Sequence, residues 1–293
     1  MLEFRPVTLS DKEWVTELLS YSDFRGCEYT FGNCFCWSEI YDIKICRFKD
    51  FFLIKNQDGL YFPAGRGDLR EVLHELKAYC KAASLPFYFT TMNKLSMLTL
   101  KEIYGERAQV GTSADLYDYI YNRSDLAELS GKKYHAKRNH ISRFSENNWS
   151  YEPITPENIS ECSEMNDEWC ERNICINNIE DKDKAEEICA VRTGLRHFFE
   201  LGYFGGLLRV DGKVQAFSFG ERLNSDTAVV HVEKAFTDFQ GTYPMINKQF
   251  VLNNCENYRF INREEDMGEE NLRKAKQSYY PCFMEEKFTV NIE

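Results

Sequence analysis

The chain has 293 residues, of which 43% are hydrophobic and 15% aromatic, enough for a packed core and too apolar for global disorder. A net charge of −11 repels nucleic acid and anionic membrane on average, so any RNA contact requires a local basic patch. No apolar run approaches the ~20 residues of a membrane-spanning helix, and "MLEFRPVTLSDKEW" lacks the basic start and apolar centre of an export signal, so a cytoplasmic protein without an integral membrane segment is expected.

The first elements follow "FRPVT" (4–8). Ser10 and Glu13 in "SDKE" are read as a capping box opening a helix. "GNCFCW" places Cys34 and Cys36 as C-x-C, which is not the C-x-x-C of a zinc knuckle. Cys162, Cys170, Cys175 and Cys189 are loosely spaced, and the eleven cysteines are read as reduced thiols with no metal site. "LIKNQDGLYFPAG" (53–65) is a hairpin turning at Asp58-Gly59. "DLREVLHELKAYC" is a helix capped by Asp68 and Glu71, with Leu69, Val72, Leu73 and Leu76 as its apolar stripe. The strand "PFYFTTMN", the helix "KLSMLTLKEIYG" and a final strand "DLYDYIYN" (115–122) complete this half.

"NRSDLAELSGKKYHAKRNHISRFSENN" (122–148) connects to a second half that repeats the plan. "YEPIT" (151–155) echoes "FRPVT", with Thr155 as a helix cap before Pro156. Helix 183–202 presents Ile188, Val191, Leu195 and Phe198 to the core. "LLRVDGKVQAFSFG" (207–220) echoes the first hairpin, turning at Asp211-Gly212. The strand "VVHVEKAF", the helix "PMINKQFVLNNCEN", the strand "YRFINREED", the helix "GEENLRKAKQSYY" and the strand "FMEEKFTVNI" (283–292) close the chain. Three echoes in one order indicate a tandem duplication. The expected fold is α/β (α+β): two tandem domains, 1–125 and 149–293, each a mixed, mostly antiparallel sheet flanked by helices, joined by a basic connecting helix at 126–148.

The two copies differ in charge. Glu264, Glu265, Asp266, Glu269 and Glu270 crowd one turn of the second half, while the first-half counterpart "TTMNKLSMLTL" has no acid. Glu269 and Glu270 suit the first turn of a helix, where Arg273, Lys274 and Lys276 follow at pairing distance. Arg263, Glu264, Glu265 and Asp266 precede that helix and are less easily explained by stability alone, which directs the search for chemistry to the second copy.

This duplicated plan resembles the tandem GNAT (N-acyltransferase) architecture. The blocks "DYIYNRSDLAELSGKKYHAKRNHISRF" (118–144) and "FINREEDMGEENLRKAKQSYYP" (260–281) resemble those of the phosphatidylglycerol lysyltransferase C-terminal domain family. Fem-type aminoacyltransferases are similar. The resemblance implies transfer of an aminoacyl group from aminoacyl-tRNA to an amine or hydroxyl acceptor. The family's best-known members carry an N-terminal membrane region that is not seen here, which departs from a lipid acceptor. GNAT acetyltransferases hold coenzyme A with [Q/R]-x-x-G-x-[G/A]; in "DFQGTYPMI", Gly241 as the first glycine puts Asp238 at the Gln/Arg position and Tyr243 at the second small position. Acetyl-CoA is therefore disfavoured as donor. The alternatives are a coenzyme A-dependent N-acyltransferase and a non-catalytic binding module on the same fold.

Aminoacyl transfer needs a group to take a proton and positive or N–H partners for the oxyanion. Strand alternation puts His231 and Glu233 on one face and Lys234 on the other. With Arg263, Glu264 and Asp266 at the next strand's end, these are the catalytic candidates: Glu233, Glu264 or Asp266 as base or ammonium holder, Arg263 or Lys234 for the oxyanion or a phosphate. Tyr243, Asn262, Glu265, Asn271, Arg273 and Lys276 are substrate-binding candidates; for Asn271, Arg273 and Lys276 a solvated helix face competes. Lys132, Lys133, Lys137, Arg138 and Arg143, with no acid between Gly131 and Phe144, form the tRNA candidate patch; a linker helix pairing with acidic surfaces competes. His74 and His197 are read as structural.

Overall fold

The computed structural model describes residues 2–172 and 182–293. In chain order the strands and helices are β1 (Arg5–Pro6), α1 (Lys12–Ser20), α2 (Phe31–Cys36), β2 (Lys44–Phe48), β3 (Phe51–Lys55), β4 (Leu60–Tyr61), β5 (Ala64–Gly65), α3 (Leu69–Ala82), β6 (Tyr88–Met92), α4 (Lys94–Tyr104), β7 (Ala108–Thr112), β8 (Asp118–Asn122), α5 (Arg123–Glu128) and α6 (His135–Phe144). There follow β9 (Trp149–Pro153), α7 (Ile159–Cys170), α8 (Lys182–Arg196), α9 (Phe198–Leu201), β10 (Phe204–Val210), β11 (Lys213–Arg222), β12 (Thr227–Ala235), α10 (Thr242–Asn254), β13 (Phe260–Asn262), α11 (Glu270–Gln277), β14 (Phe283–Glu285) and β15 (Phe288–Ile292).

Two mixed sheets result. The first runs β1-β2-β3-β4-β6-β15-β7, with β5 also on β3; the second runs β9-β10-β11-β12-β13-β8-β14. Each has one parallel pair, β4–β6 and β12–β13, at the same place in the order. The expected duplication is visible in this order, with two corrections. The two hairpin echoes are one strand out of step, because β10–β11 occupies the place of β2–β3 rather than of β3–β4. The last strands are exchanged: β8 lies in the second sheet, between β13 and β14, and β15 lies in the first, between β6 and β7.

Burial explains why each exchanged strand stays. Val290 and Ile292 of β15 pack with Leu73, Leu76 and Phe89, and Tyr119 and Tyr121 of β8 pack with Phe250, Val251 and Ile261. At about 1.5–3 kcal/mol for each large apolar side chain taken out of water, either strand gains several kcal/mol in its host sheet. A further core joins the halves, with Val15, Phe31 and Phe52 packed in one cluster with Leu195, Phe217 and Val232.

Local caps follow the sequence with small shifts. The first capping box is formed by Thr8 and Asp11, not by Ser10 and Glu13, since the Asp11 carboxylate accepts from the Thr8 N–H and is held by Arg5. Helix α7 begins after Asn158, whose Oδ1 accepts from the Thr155 N–H, rather than at Pro156. The long helix expected over 183–202 breaks at His197 into α8 and α9. Asp68 caps α3 as expected. Every described cysteine is free; Cys175 lies outside the described residues.

Candidate active site

The two parallel strands β12 and β13 pair only from Thr227–Phe260 to Val229–Asn262. Beyond that point β12 continues and β13 ends, so the strands part. Side chains cross the gap. His231 reaches Glu264, with Nδ1 2.7 Å from the carboxylate, and Arg263 donates to Glu233 at 2.9 Å.

These two bridges lie on opposite faces of the sheet, which corrects the expectation that His231 and Glu233 share one. The register against β11 slips, with Phe219 facing Val232 and Gly220 facing Val230, so His231 is the extra residue of a β-bulge. The bulge turns His231 toward Tyr203, 5.5 Å between ring centroids, on the face that also carries Lys234. Glu233 points the other way, to Asn247 of α10 at 2.9 Å. Lys234 is buried against Trp169 and pairs with Glu187 at 2.6 Å, away from Arg263 and Glu233.

On the first face, His231 is held between two carboxylates, Glu264 and Glu221, the latter 2.9 Å from Nε2. Burial lowers the affinity of the imidazole for a second proton, but the two carboxylates outweigh it and push the pKa up to about 10. Both ring nitrogens therefore donate at neutral pH, and His231 is a fixed cation rather than a base. The first half closes over it: a Cβ on Gly32 of α2 would lie 2.4 Å from Glu221 and 2.3 Å from the Tyr203 hydroxyl, so a larger residue would have to displace these side chains. Glu264 itself sits at φ 58°, a left-handed conformation costly for a residue with a Cβ. The Asn262 side chain accepts from its N–H at 2.6 Å, and the Lys276 ammonium donates to the carbonyls of Arg263, Glu264 and Glu265.

Several expected contact residues are thus committed to building the turn. Asn262 is fully buried and also donates to Asp118 at 2.8 Å. Lys276 is buried, not on a solvated helix face. Asp266 accepts from Tyr119 at 2.6 Å and from Arg273 at 2.7 and 2.9 Å, and Arg273 holds its pKa down to about 2. Glu265 pairs with the buried Lys287 at 3.1 Å, together with Asp118 at 2.6 Å and Glu28 at 2.7 Å. Cys27, Asp118 and Glu265 have ligand atoms within 4.8 Å of one another, and the Lys287 ammonium stands among them, paired with Asp118 and Glu265. Asn271 is exposed.

On the second face, three buried polar atoms around Glu233 have no hydrogen-bond partner: Ser218 Oγ, Asn247 Oδ1 and Arg263 Nη1. Ser218 is the cross-strand neighbour of Glu233 in β11, so the two side chains share this face. Buried polar groups are normally paired, so an unpaired trio around one carboxylate is the mark of a site that receives a polar group. Arg263 also lies over the rings of Tyr279, 4.8 Å, and Tyr121, 5.7 Å. Sequence reasoning missed Ser218, Glu221 and Asn247; the only signal was a polar residue within each apolar run.

The start of α10 is poorly suited to a pyrophosphate. Gly241, at φ 97°, is pressed against α6, where a Cβ would lie 2.1 Å from the His140 carbonyl. The Thr242 N–H is directed to the Phe239 carbonyl at 3.4 Å, Pro244 has no N–H, and Asp238 is paired with Arg172 at 2.8 Å. Tyr243 is half-buried beside this turn. In the basic segment, Lys132, Lys133 and Arg143 are exposed. Arg138 instead donates to the carbonyls of Leu129 and Gly131 at 2.5 and 2.7 Å, and Lys137 turns inward over Tyr279.

No helix among the described residues is long and apolar enough to cross a membrane. A comparison with curated proteins gives no match. Among solved structures, the chain is similar to a conserved protein of unknown function from Bacteroides thetaiotaomicron, at 39% identity and TM-score 0.95, covering 100% of both chains. It shares its fold with L-PGS from Bacillus licheniformis, at 14% identity and TM-score 0.66 over 96% of this chain and 92% of that one. It also shares the fold of FemX, at 10% identity and TM-score 0.67 over 99% and 97%. The tandem GNAT-like, Fem-type fold expected from the sequence is the fold observed. The family model for the C-terminal domain of phosphatidylglycerol lysyltransferase matches residues 20–291, and the chain belongs to that acyltransferase-like family.

Proposed function

We propose that the second-face site transfers an aminoacyl group from aminoacyl-tRNA to an amine or hydroxyl acceptor in the cytoplasm. The observation that carries this reading is the unpaired trio around Glu233. Arg263 Nη1 offers a donor to an ester carbonyl oxygen and to the oxyanion that develops on it. Asn247 Oδ1, beside the Glu233 carboxylate, offers an acceptor to an α-ammonium group. A group carrying an acceptor and a donor three bonds apart, as the carbonyl oxygen and α-ammonium of an aminoacyl ester are, offers a partner to each. Of the acids weighed as ammonium holder or base, Glu264 is engaged by His231 on the first face and Asp266 by Arg273; Glu233, itself held by Arg263 and Asn247, is the one that lies among the unpaired atoms, which favours it. The covered start of α10 supports a donor other than coenzyme A. Lys132, Lys133 and Arg143 supply exposed charge for tRNA phosphates.

Filter binding of charged tRNA, deacylated tRNA and acetyl-CoA tests this at low and physiological salt. Charged tRNA is expected to bind about tenfold tighter than deacylated tRNA, a difference of about 1.4 kcal/mol, and R263Q to lose that preference. Tight acetyl-CoA binding with no preference for charged tRNA would overturn the reading.

A further inference from the structure

Lys137 differs from the other basic residues of α6. Its side chain is directed inward, with Nζ 3.8 Å from the centroid of the Tyr279 ring that Arg263 also covers. Among the described residues it makes no hydrogen bond and no ion pair. A half-buried ammonium without a carboxylate partner is an unfavourable way to stabilise a fold, and one turned inward over a ring is less available to a surface phosphate than Lys132 or Lys133. Burial, then the Arg263 cation, bring its pKa down to about 8, with Glu233 opposing. The groups facing it are Arg263 beyond β13, Glu233 of β12 and the phenol of Tyr279; His140 lies one turn away on its own helix, and Lys133 lies in the turn just before that helix.

Resting on the aminoacyl reading above, we propose that Lys137 is the proton-transfer residue of the site, acting on the departing ester oxygen beside Arg263 and Glu233. The acceptor nitrogen or oxygen forms the new bond to the carbonyl carbon. The ester C–O bond breaks, and the leaving ribose hydroxyl departs with a proton from the Lys137 ammonium. The acceptor's own proton passes to the resulting neutral amine, so Lys137 is restored and no proton is gained or lost.

The test is single-turnover transfer from total charged tRNA to hydroxylamine, measured above the enzyme-free rate and against pH. The unsubstituted chain, K137R and K137Q are compared, with filter binding of the same tRNA in parallel. Both variants are expected to lose about 100-fold in transfer, a typical worth of a positioned proton donor, while binding stays within about threefold. The fall in rate as pH rises through about 8 is expected to vanish in both. Full transfer by K137R, or a loss that follows weakened binding alone, would overturn the proposal in favour of a charge contact.

A second readout is independent of turnover: NMR titration of methylated lysines, with the Lys137 signal assigned by its loss in K137R. Titration near 8 supports the assignment, and titration in the ordinary lysine range overturns it. If the unsubstituted chain transfers nothing while Lys137 titrates near 8, the aminoacyl reading fails, and this role for Lys137 with it.

Discussion

Replacing His231 by Gln removes the cation that holds Glu221 and Glu264 together. The His231 side chain is 9% exposed and its carboxylate partners 11% and 25%, so the interaction is only weakly screened. Its pKa rises from an ordinary 6.5 to about 10. At about 1.4 kcal/mol per pKa unit, the protonated imidazole contributes on the order of 4–5 kcal/mol to stability. The sign follows from the direction: the folded state binds this proton more tightly. The contribution is therefore complete below about pH 6.5 and falls as pH rises through about 10. Urea unfolding of the unsubstituted chain and H231Q at pH 6, 7, 8 and 9 measures it. The stability difference between the two is expected to shrink by about 1.4 kcal/mol for each pH step above 6.5. A difference that does not change with pH would show that His231 is not held as an imidazolium in the folded protein.

Lys276→Met is expected to cost about 2–4 kcal/mol, because the carbonyls of residues 263, 264 and 265 lose one buried donor together; thermal unfolding at neutral pH reads it, and an unchanged Tm would refute the capping role. Gly241→Ala is expected to destabilise by about 2 kcal/mol or more, from a left-handed backbone and a Cβ 2.1 Å from the His140 carbonyl. A neutral effect on the urea midpoint would mean that α6 does not seal the start of α10.

Much of the fold was legible because it is written locally. The Asp211-Gly212 turn, the Asp68 cap and the apolar stripe of α3 depend on residues a few positions apart. The site was legible in part. The charged end of β13 and the strand "VVHVEKAF" pointed to the gap where β12 and β13 part, since a strand end rich in acids is hard to explain by packing. The sorting of residues between faces was not legible. One extra residue at His231 reverses the alternation, and it is visible only against β11. Ser218 and Asn247 acquire meaning only when register and helix packing bring them to Glu233. Lys276 carries the sequence signature of a surface helix, and its burial depends on the turn it supports. The exchange of β8 and β15 was beyond reach, because each strand satisfies the same local pattern in either sheet.

That exchange has a consequence for how the molecule is made. The first sheet lacks its sixth strand until Val290 and Ile292 have been synthesised, although most of its other residues precede position 113. During translation β6 and β7 wait with facing edges unpaired, while β8 waits for β13, some 140 residues downstream in order of synthesis. The two lobes therefore become complete together, late, and each by way of the other. A chain built this way is interlocked like clasped hands, so its lobes cannot swing apart on a tether without first melting a strand.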